Sequence, residues 1–388
     1  MKKILALLLA MAMVFSLAAC GDTSNTPASN PPSEAASTPV EDNNPSGGGS
    51  DLKVGVFWYA FSDAFLSTVR SALDADLSAA GIEYQNYDAN NNQATQLEQV
   101  QTAITNGFNV LVVNLVTSGS ADAAQQIIDA AGDLPVVFFN RSPEGDGEEG
   151  TVLNNNGNVC FIGTDAPEAG HMQGKMIGDF LVANYDAVDL NKDGKISYAM
   201  FMGDAANVEA IYRTQYGVED ANAVLTAAGK PELEYFNASN SDKYQLDPGG
   251  AWSNAAAFDF MSVNLTEYNE GNGNMIELII ANNDDMALGA IAALENAGYH
   301  DGTGTKIPVF GVDATQNAQD AIAADKMTGT VKQDAEGMAT AITSVVESIS
   351  GGSAVADAIS GVAGSADMFS VADGFTNKLF VAYAPFTA

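Results

Sequence analysis

The 388 residues carry 49 acidic and 15 basic side chains, for a formal charge of −34, and 46% of them are hydrophobic. Acidity on that scale excludes nucleic acid as a partner, because a polyphosphate is repelled where it would have to be neutralised. The length provides for two ordinary domains once an export segment is set aside.

Lys2 and Lys3 precede an apolar run from Ile4 to Ala19, and Cys20 follows. This is the pattern of a secretion signal, and the run is shorter than the ~20 residues a spanning helix needs. Residues 1–19 are therefore read as a signal peptide. Their loss removes two lysines and no acid, which takes the formal charge to −36. Leu17, Ala18, Ala19 and Cys20 resemble the lipobox of bacterial lipoproteins, which implies acylation of Cys20 and attachment to the outer face of the cell membrane. Residues 21–50 are Ser, Pro, Asn, Thr, Gly and acids with almost no large apolar side chain. Such a segment cannot offset its chain entropy by burial, so 20–50 is read as a lipidated cysteine and disordered tether.

From Asp51 onward short apolar runs alternate with amphipathic stretches, the sign of βα units and mostly parallel sheets. Strands are expected at 52–58, 110–115, 134–139, 159–163, 196–202, 276–281 and 308–312. Helices are expected at 65–80, 120–131, 169–183, 209–228, 254–263 and 285–297. Cys160, the only cysteine besides Cys20, sits in the run Val159, Cys160, Phe161, Ile162. It reads as a buried core thiol, and no disulfide is available to the globular part.

Polar residues stand just past several strand ends: Asn114, Asn140, Asn282 to Asp284, and Asp313. Ligands of open parallel sheets bind at those carboxyl ends. Asn and Asp also cap helices. The recurrence at four strand ends, more than any one residue, points to a ligand cleft.

The segments VGVFWYAFSDAF (54–65), NVLVVNLV (109–116), PVVFFNRSP (135–143), GTDAPEAG (163–170), DLNKDGKIS (189–197), IELIIANNDDMALGA (276–290) and IPVFGVDA (307–314) follow one another in this order. In them the chain resembles the type I periplasmic sugar-binding proteins, and among these the galactose/glucose-binding group of bacterial ABC transporters. The resemblance runs from about Asp51 to the C-terminus. It implies an α/β fold of two similar lobes, each a mostly parallel sheet flanked by helices, joined by three hinge crossings near 137–140, 332–334 and 380–384. The first lobe would then hold 51–138 and 334–380, and the second 139–333 and 381–388. It also implies a monomer that delivers a monosaccharide to a permease and catalyses nothing.

The site follows from the resemblance residue by residue. Asp63 matches a carboxylate that accepts from a ring hydroxyl, and Phe65 and Trp252 match opposed aromatic walls. Asn114, Asn283 and Asp313 match polar positions that reach hydroxyls, and Arg213 matches a guanidinium near the anomeric end. A pyranose has apolar C–H faces and a polar rim, so aromatic plates with a ring of Asp, Asn and Arg suit it. Three positions depart from the family: Asn207 where His is usual, Glu209 where Asp is usual, and Gln333 where Asn is usual. Tyr59 matches a further aromatic near the cleft.

Asp189, Asn191 and Asp193 alternate ahead of Gly194, and Lys195 offers a backbone carbonyl, as in an oxygen-ligated calcium loop. The twelfth position is Met200, which cannot ligate. The resemblance implies that the closing carboxylate is Glu277, and it sets Ser197 where a longer amide is usual. A structural calcium ion is the expectation, with a solvated Asx-rich turn as the alternative.

Two other uses compete with transport. An enzyme would need a motif such as GxSxG, HExxH or a P-loop, none of which is present; two carboxylates across a sugar bond, Asp63 and Asp313, are the nearest approach. The same fold also serves receptors that report a sugar or signal molecule to a membrane sensor.

Overall fold

The structure is a computed structural model that describes residues 52–300, 302 and 305–388. The signal peptide, Cys20 and the tether lie outside the described residues.

The first sheet is built from β1 (Lys53–Trp58), β2 (Glu83–Asp88), β3 (Val110–Val113), β4 (Val136–Phe139) and β5 (Val159–Gly163), with α1 (Ala64–Ala79), α2 (Gln93–Thr105) and α3 (Ala121–Ala131) between them. The chain then enters the second lobe through α4 (Ala166–Val188). There β6 (Ser197–Met202), α5 (Val208–Ala227), β7 (Glu234–Tyr235), β8 (Gln245–Leu246), α6 (Asn254–Glu267), β9 (Leu278–Ala281), α7 (Asp284–Asn296), β10 (Val309–Asp313), α8 (Gln316–Ala323) and β11 (Gly329–Lys332) follow. It returns to the first lobe for α9 (Ala335–Ser350), α10 (Val355–Ala363), β12 (Phe369–Val371) and β13 (Lys378–Val381), and closes with β14 (Ala384–Thr387) on the second sheet.

The strand orders are β12-β13-β5-β4-β3-β1-β2 and β14-β11-β10-β9-β6-β7, with β8 also on β6. Pairing is parallel except at β12 and β14, which run antiparallel to β13 and β11. Parallel strands covered by helices on both faces are buried throughout, which is why VLVV and VVFF read as unbroken apolar runs. The edge strand EYQNYD at β2 is only half-buried and polar, and nothing in its pattern marks it as a strand. Cys160 is fully buried, and burial pushes its thiol up to about 12.

The first crossing differs from the sequence reading. Strand β5 pairs with β4, Val136 opposite Val159 and Phe139 opposite Ile162, so residues 139–163 belong to the first lobe. The chain leaves that lobe after Gly163, not near residue 138. Between β4 and β5 the chain makes an excursion held by Glu144, whose carboxylate accepts the backbone N–H groups of Gly150, Val152 and Leu153. The other two passages lie at Lys332–Asp334 and between Val381 and Ala384.

Helices α4 and α5 approach more closely than ordinary side chains allow. A Cβ on Gly170 would lie 2.4 Å from the Tyr212 carbonyl oxygen, and one on Gly174 2.3 Å from that of Tyr216. Glycines four residues apart on one helix face permit this contact. It fixes α5, which carries Asn207 as its N-cap, Glu209 in its first turn and Arg213 one turn on.

Candidate functional site

The carboxyl ends of β1, β4, β6, β9, β10 and β11 converge on one cavity of about 360 Å³ between the lobes. The first lobe lines it with Tyr59, Asp63, Phe65, Leu66, Asn140 and Arg141. From the second lobe come Asn207, Glu209, Arg213, Trp252, Asn283, Asp313 and Gln333. Nine of the ten residues assigned to the sugar site are in this wall.

Asn114 is the exception and a correction. It is fully buried behind the wall, where its amide oxygen accepts from the Tyr59 N–H at 3.4 Å and its amide nitrogen donates to the Phe139 carbonyl and to Asn140 Oδ1. Those bonds tie β1, β3 and β4 together and hold Asn140, which takes the place at the cavity. Arg141 was not anticipated. It is 3% exposed, donates from Nε to the Leu115 carbonyl, and lies 4.2 Å from the Tyr59 ring centroid. The one available sign was its place two residues past the apolar run VVFF.

Several wall residues do two jobs. Asp63 caps α1 by accepting from the Leu66 N–H at 2.8 Å, and its other oxygen accepts from Tyr59 Oη at 2.7 Å. Asn283 caps α7 and donates to the Trp252 carbonyl. Trp252 has φ +57°, Asn140 φ +58° and Asp313 φ +126°. Such backbone is costly for residues other than glycine and clusters where a site demands it. The Trp252 ring lies directly on Gly203, where a Cβ would come within 2.1 Å of it.

Arg213 is the electrostatic centre. It is 3% exposed, donates to the Asn282 carbonyl at 2.9 Å, to Tyr383 Oη at 3.0 Å and to Gln333 Oε1 at 3.3 Å, and lies 5.7 Å from the Trp252 ring centroid. Burial pushes the carboxyls of Asp313 and Glu209 up, and the Arg213 charge opposes this in both. Four buried polar atoms of the wall lack any partner among the described residues: Glu209 Oε2, Arg213 Nε, Trp252 Nε1 and Gln333 Nε2. Buried polar groups are satisfied in nearly all native proteins, so a concentration of exceptions at one cavity marks where a polar ligand completes the bonding.

The lobes are closed on one another. Arg141 pairs with Asp204 at 3.0 Å, Asn207 donates to Ser118 Oγ at 3.2 Å, and Asn91 donates to the Gly249 carbonyl at 2.9 Å. Tyr212 donates to Asp146, and a Cβ on Gly119 would lie 2.7 Å from the Ala206 carbonyl oxygen.

The loop after α4 lies apart from this cavity. Asp189 Oδ2 accepts from the Gly194 N–H, Asn191 Oδ1 from that of Asp193, and Asp193 Oδ1 from that of Lys195. Lys192 and Gly194 take φ of +60° and +85° to make the bend. Glu277 closes the loop by accepting the N–H groups of Leu190, Asn191 and Ser197, while the Ser197 hydroxyl donates to the Met275 carbonyl. Asp189 Oδ1 is buried without a partner among the described residues. Among the described residues no three carboxylate, histidine or cysteine side chains converge to hold a metal by themselves. A cation here would need the Asn191 amide oxygen and the Lys195 carbonyl as well.

Two α/β lobes closed over a cavity at their strand ends define a protein built to hold a ligand in its cleft. Residues 54–354 match the periplasmic binding protein domain model, and the chain belongs to that family, whose members bind solutes outside the cytoplasm and are not enzymes. It is 32% identical over 306 residues to the D-galactose/methyl-galactoside binding periplasmic protein MglB of Haemophilus influenzae, covering 78% of this chain and 83% of that one. Identity to the ribose import binding protein RbsB of Bacillus subtilis is 24% over 316 residues, 81% of this chain and 87% of that one. Among solved structures, an ABC transporter solute binding protein from Clostridium phytofermentans with bound β-D-glucose has the same fold. It superposes with a TM-score of 0.65 at 20% identity, covering 87% of this chain and 94% of that one.

Proposed function

We propose that this protein captures a monosaccharide, galactose or glucose first among the candidates, and delivers it in the closed state to the permease of an ABC transporter. The observation that carries the reading is the cavity itself: Phe65 and Trp252 for the C–H faces of a pyranose, and Arg213, Asp313, Asp63 and Glu209 for its hydroxyls. Hydrogen bonds between a charged group and a neutral hydroxyl contribute about 1.5–3 kcal/mol each. A ring of them separates epimers, because a misplaced hydroxyl leaves a buried charge poorly satisfied. Residues on both lobes are completed only when the cleft is shut, so the ligand selects the closed form. Titration calorimetry with glucose, galactose, their methyl glycosides, xylose, ribose and arabinose tests the reading. One hexose binding at least about tenfold tighter than the pentoses is the expected outcome; no binding by any of them refutes it.

Two further assignments belong to this reading. Cys20 anchors the protein by lipid, which mass spectrometry of the mature N-terminus detects as a diacylglyceryl adduct. The loop at Asp189, Asn191, Asp193 and Lys195, with Glu277 and a contribution at Ser197, holds a structural calcium ion. The unpartnered Asp189 Oδ1 and the all-oxygen donor set support this. A chelator is expected to lower the melting temperature and leave sugar binding in place; an unchanged melting temperature refutes the calcium assignment.

A further inference from the structure

A second cavity has one lining residue in common with the first, Glu209. Like the first, it lies between the lobes: Phe161, Lys378 and Phe380 bound it from one, and Ala166 and Tyr212 from the other. It is therefore formed by the same closure that shapes the sugar cavity.

Its chemistry is selective. Lys378 takes part in no ion pair among the described residues, in a protein with a large excess of acid. Its ammonium lies 4.9, 5.6 and 5.9 Å from the ring centroids of Phe375, Phe380 and Phe161. Those rings hold it in place through cation–π attraction. Glu144, Asp146, Glu149, Asp165 and Glu209 supply carboxylates to the same wall. A phosphate or carboxylate ligand would meet five acids and one base. A wholly apolar ligand would leave Lys378 and the partnerless Glu209 Oε2 unsatisfied. A neutral group rich in hydroxyls satisfies both signs of charge, and Phe161 and Phe380 offer apolar surface to its C–H groups.

We propose that this second cavity is a subsite for a second sugar ring, so that the protein accepts a disaccharide whose first ring lies in the primary cavity and whose second ring passes Glu209. The proposal rests on the sugar-binding reading of the primary cavity and deepens it.

Calorimetry on the full chain in detergent, with galactose, glucose, lactose, melibiose, cellobiose and maltose, provides the test. At least one disaccharide is expected to bind as tightly as its free monosaccharide or more so. The substitution Ala166→Phe, which fills the second cavity and is absent from the wall of the first, is expected to weaken that disaccharide by at least about tenfold and change the monosaccharide by less than about twofold. Lys378→Met, which keeps the bulk and removes the ammonium, is expected to have the same selectivity, so the test does not depend on Ala166→Phe folding. Monosaccharide binding without any disaccharide binding overturns the subsite and leaves the proposed function standing. Loss of both ligands together in Lys378→Met, or of neither, overturns the subsite too. Failure of every sugar to bind the unaltered protein overturns both.

Discussion

The two walls of the cleft hold similar residue types in opposite states. On the first lobe, Tyr59, Asp63, Asn140 and Arg141 all have partners within the protein. On the second lobe Asn207 and Asn283 are bonded too, but Glu209, Arg213, Trp252 and Gln333 each keep a buried polar atom without a partner among the described residues. The difference assigns separate tasks. The second wall is where a ligand gains most hydrogen bonding, since its groups are already desolvated and wait only for a partner. The polar groups of the first wall are already bonded to one another and to the strand ends, which fixes Asp63 and the strand ends in position.

The largest break in this comparison should come from Arg213→Met. It removes the charge that opposes the buried carboxyls of Asp313 and Glu209 and three hydrogen bonds besides. Each hydrogen bond between the Arg213 charge and a ligand hydroxyl contributes about 1.5–3 kcal/mol, so with two lost, calorimetry should show sugar affinity reduced by at least about a hundredfold. An affinity within threefold of the unaltered protein would remove Arg213 from the centre of the site. Trp252→Ala and Asp313→Ala should follow, each weakening binding by at least about tenfold with the circular dichroism spectrum unchanged. Unchanged affinity in both would mean that the ligand lies elsewhere.

A smaller effect separates closure from contact. Tyr212→Phe removes the bond to the Asp146 carboxylate across the lobes without touching the primary cavity, and an exposed hydrogen bond of this kind contributes about 1 kcal/mol. Monosaccharide affinity should fall about fivefold for every sugar alike, with X-ray scattering of the free protein shifting toward the open form. A change that differs among sugars would show Tyr212 to be a ligand contact instead.

The smallest effect concerns stability and pH. Burial pushes the Asp284 carboxyl up to about 7, against hydrogen bonds from Thr330 and Thr315 that favour its charged form. The folded state therefore keeps a proton that the unfolded chain gives up near its ordinary carboxylate value. Stability should decline as pH rises between those two values and level off above 7. Asp284→Asn should shrink the difference in melting temperature between pH 5 and pH 8. An unaltered difference would show that the residue does not titrate in that window.

Much of this was legible along the chain because the information was local. Apolar runs such as VLVV and LIIA had to be buried strands, and Asn114, Asn140, Asn283 and Asp313 stood out as polar residues just past such runs. The second-lobe wall was named through the resemblance to the sugar-binding proteins, which matched Glu209, Arg213 and Asp313 position by position; of these the sequence pattern alone marked only Asp313, which ends a buried strand. What failed did so for lack of a local signal. The polar edge strand β2 has no apolar alternation, and Arg141 stands in a loop whose destination no periodicity reveals.

The amino-acid sequence by itself determined the alternation of strands and helices and the placement of polar groups at strand ends, because hydrophobic period and capping are properties of neighbouring residues, while the resemblance to the sugar-binding proteins supplied nearly all the members of the cavity wall. Only the tertiary structure decided that β5 completes the first sheet, that Asn114 is spent behind Asn140, and that Glu209 stands between two cavities. Each of these depends on pairing and hydrogen bonding between segments far apart in the chain, and on which polar atoms are left without a partner once those segments have met.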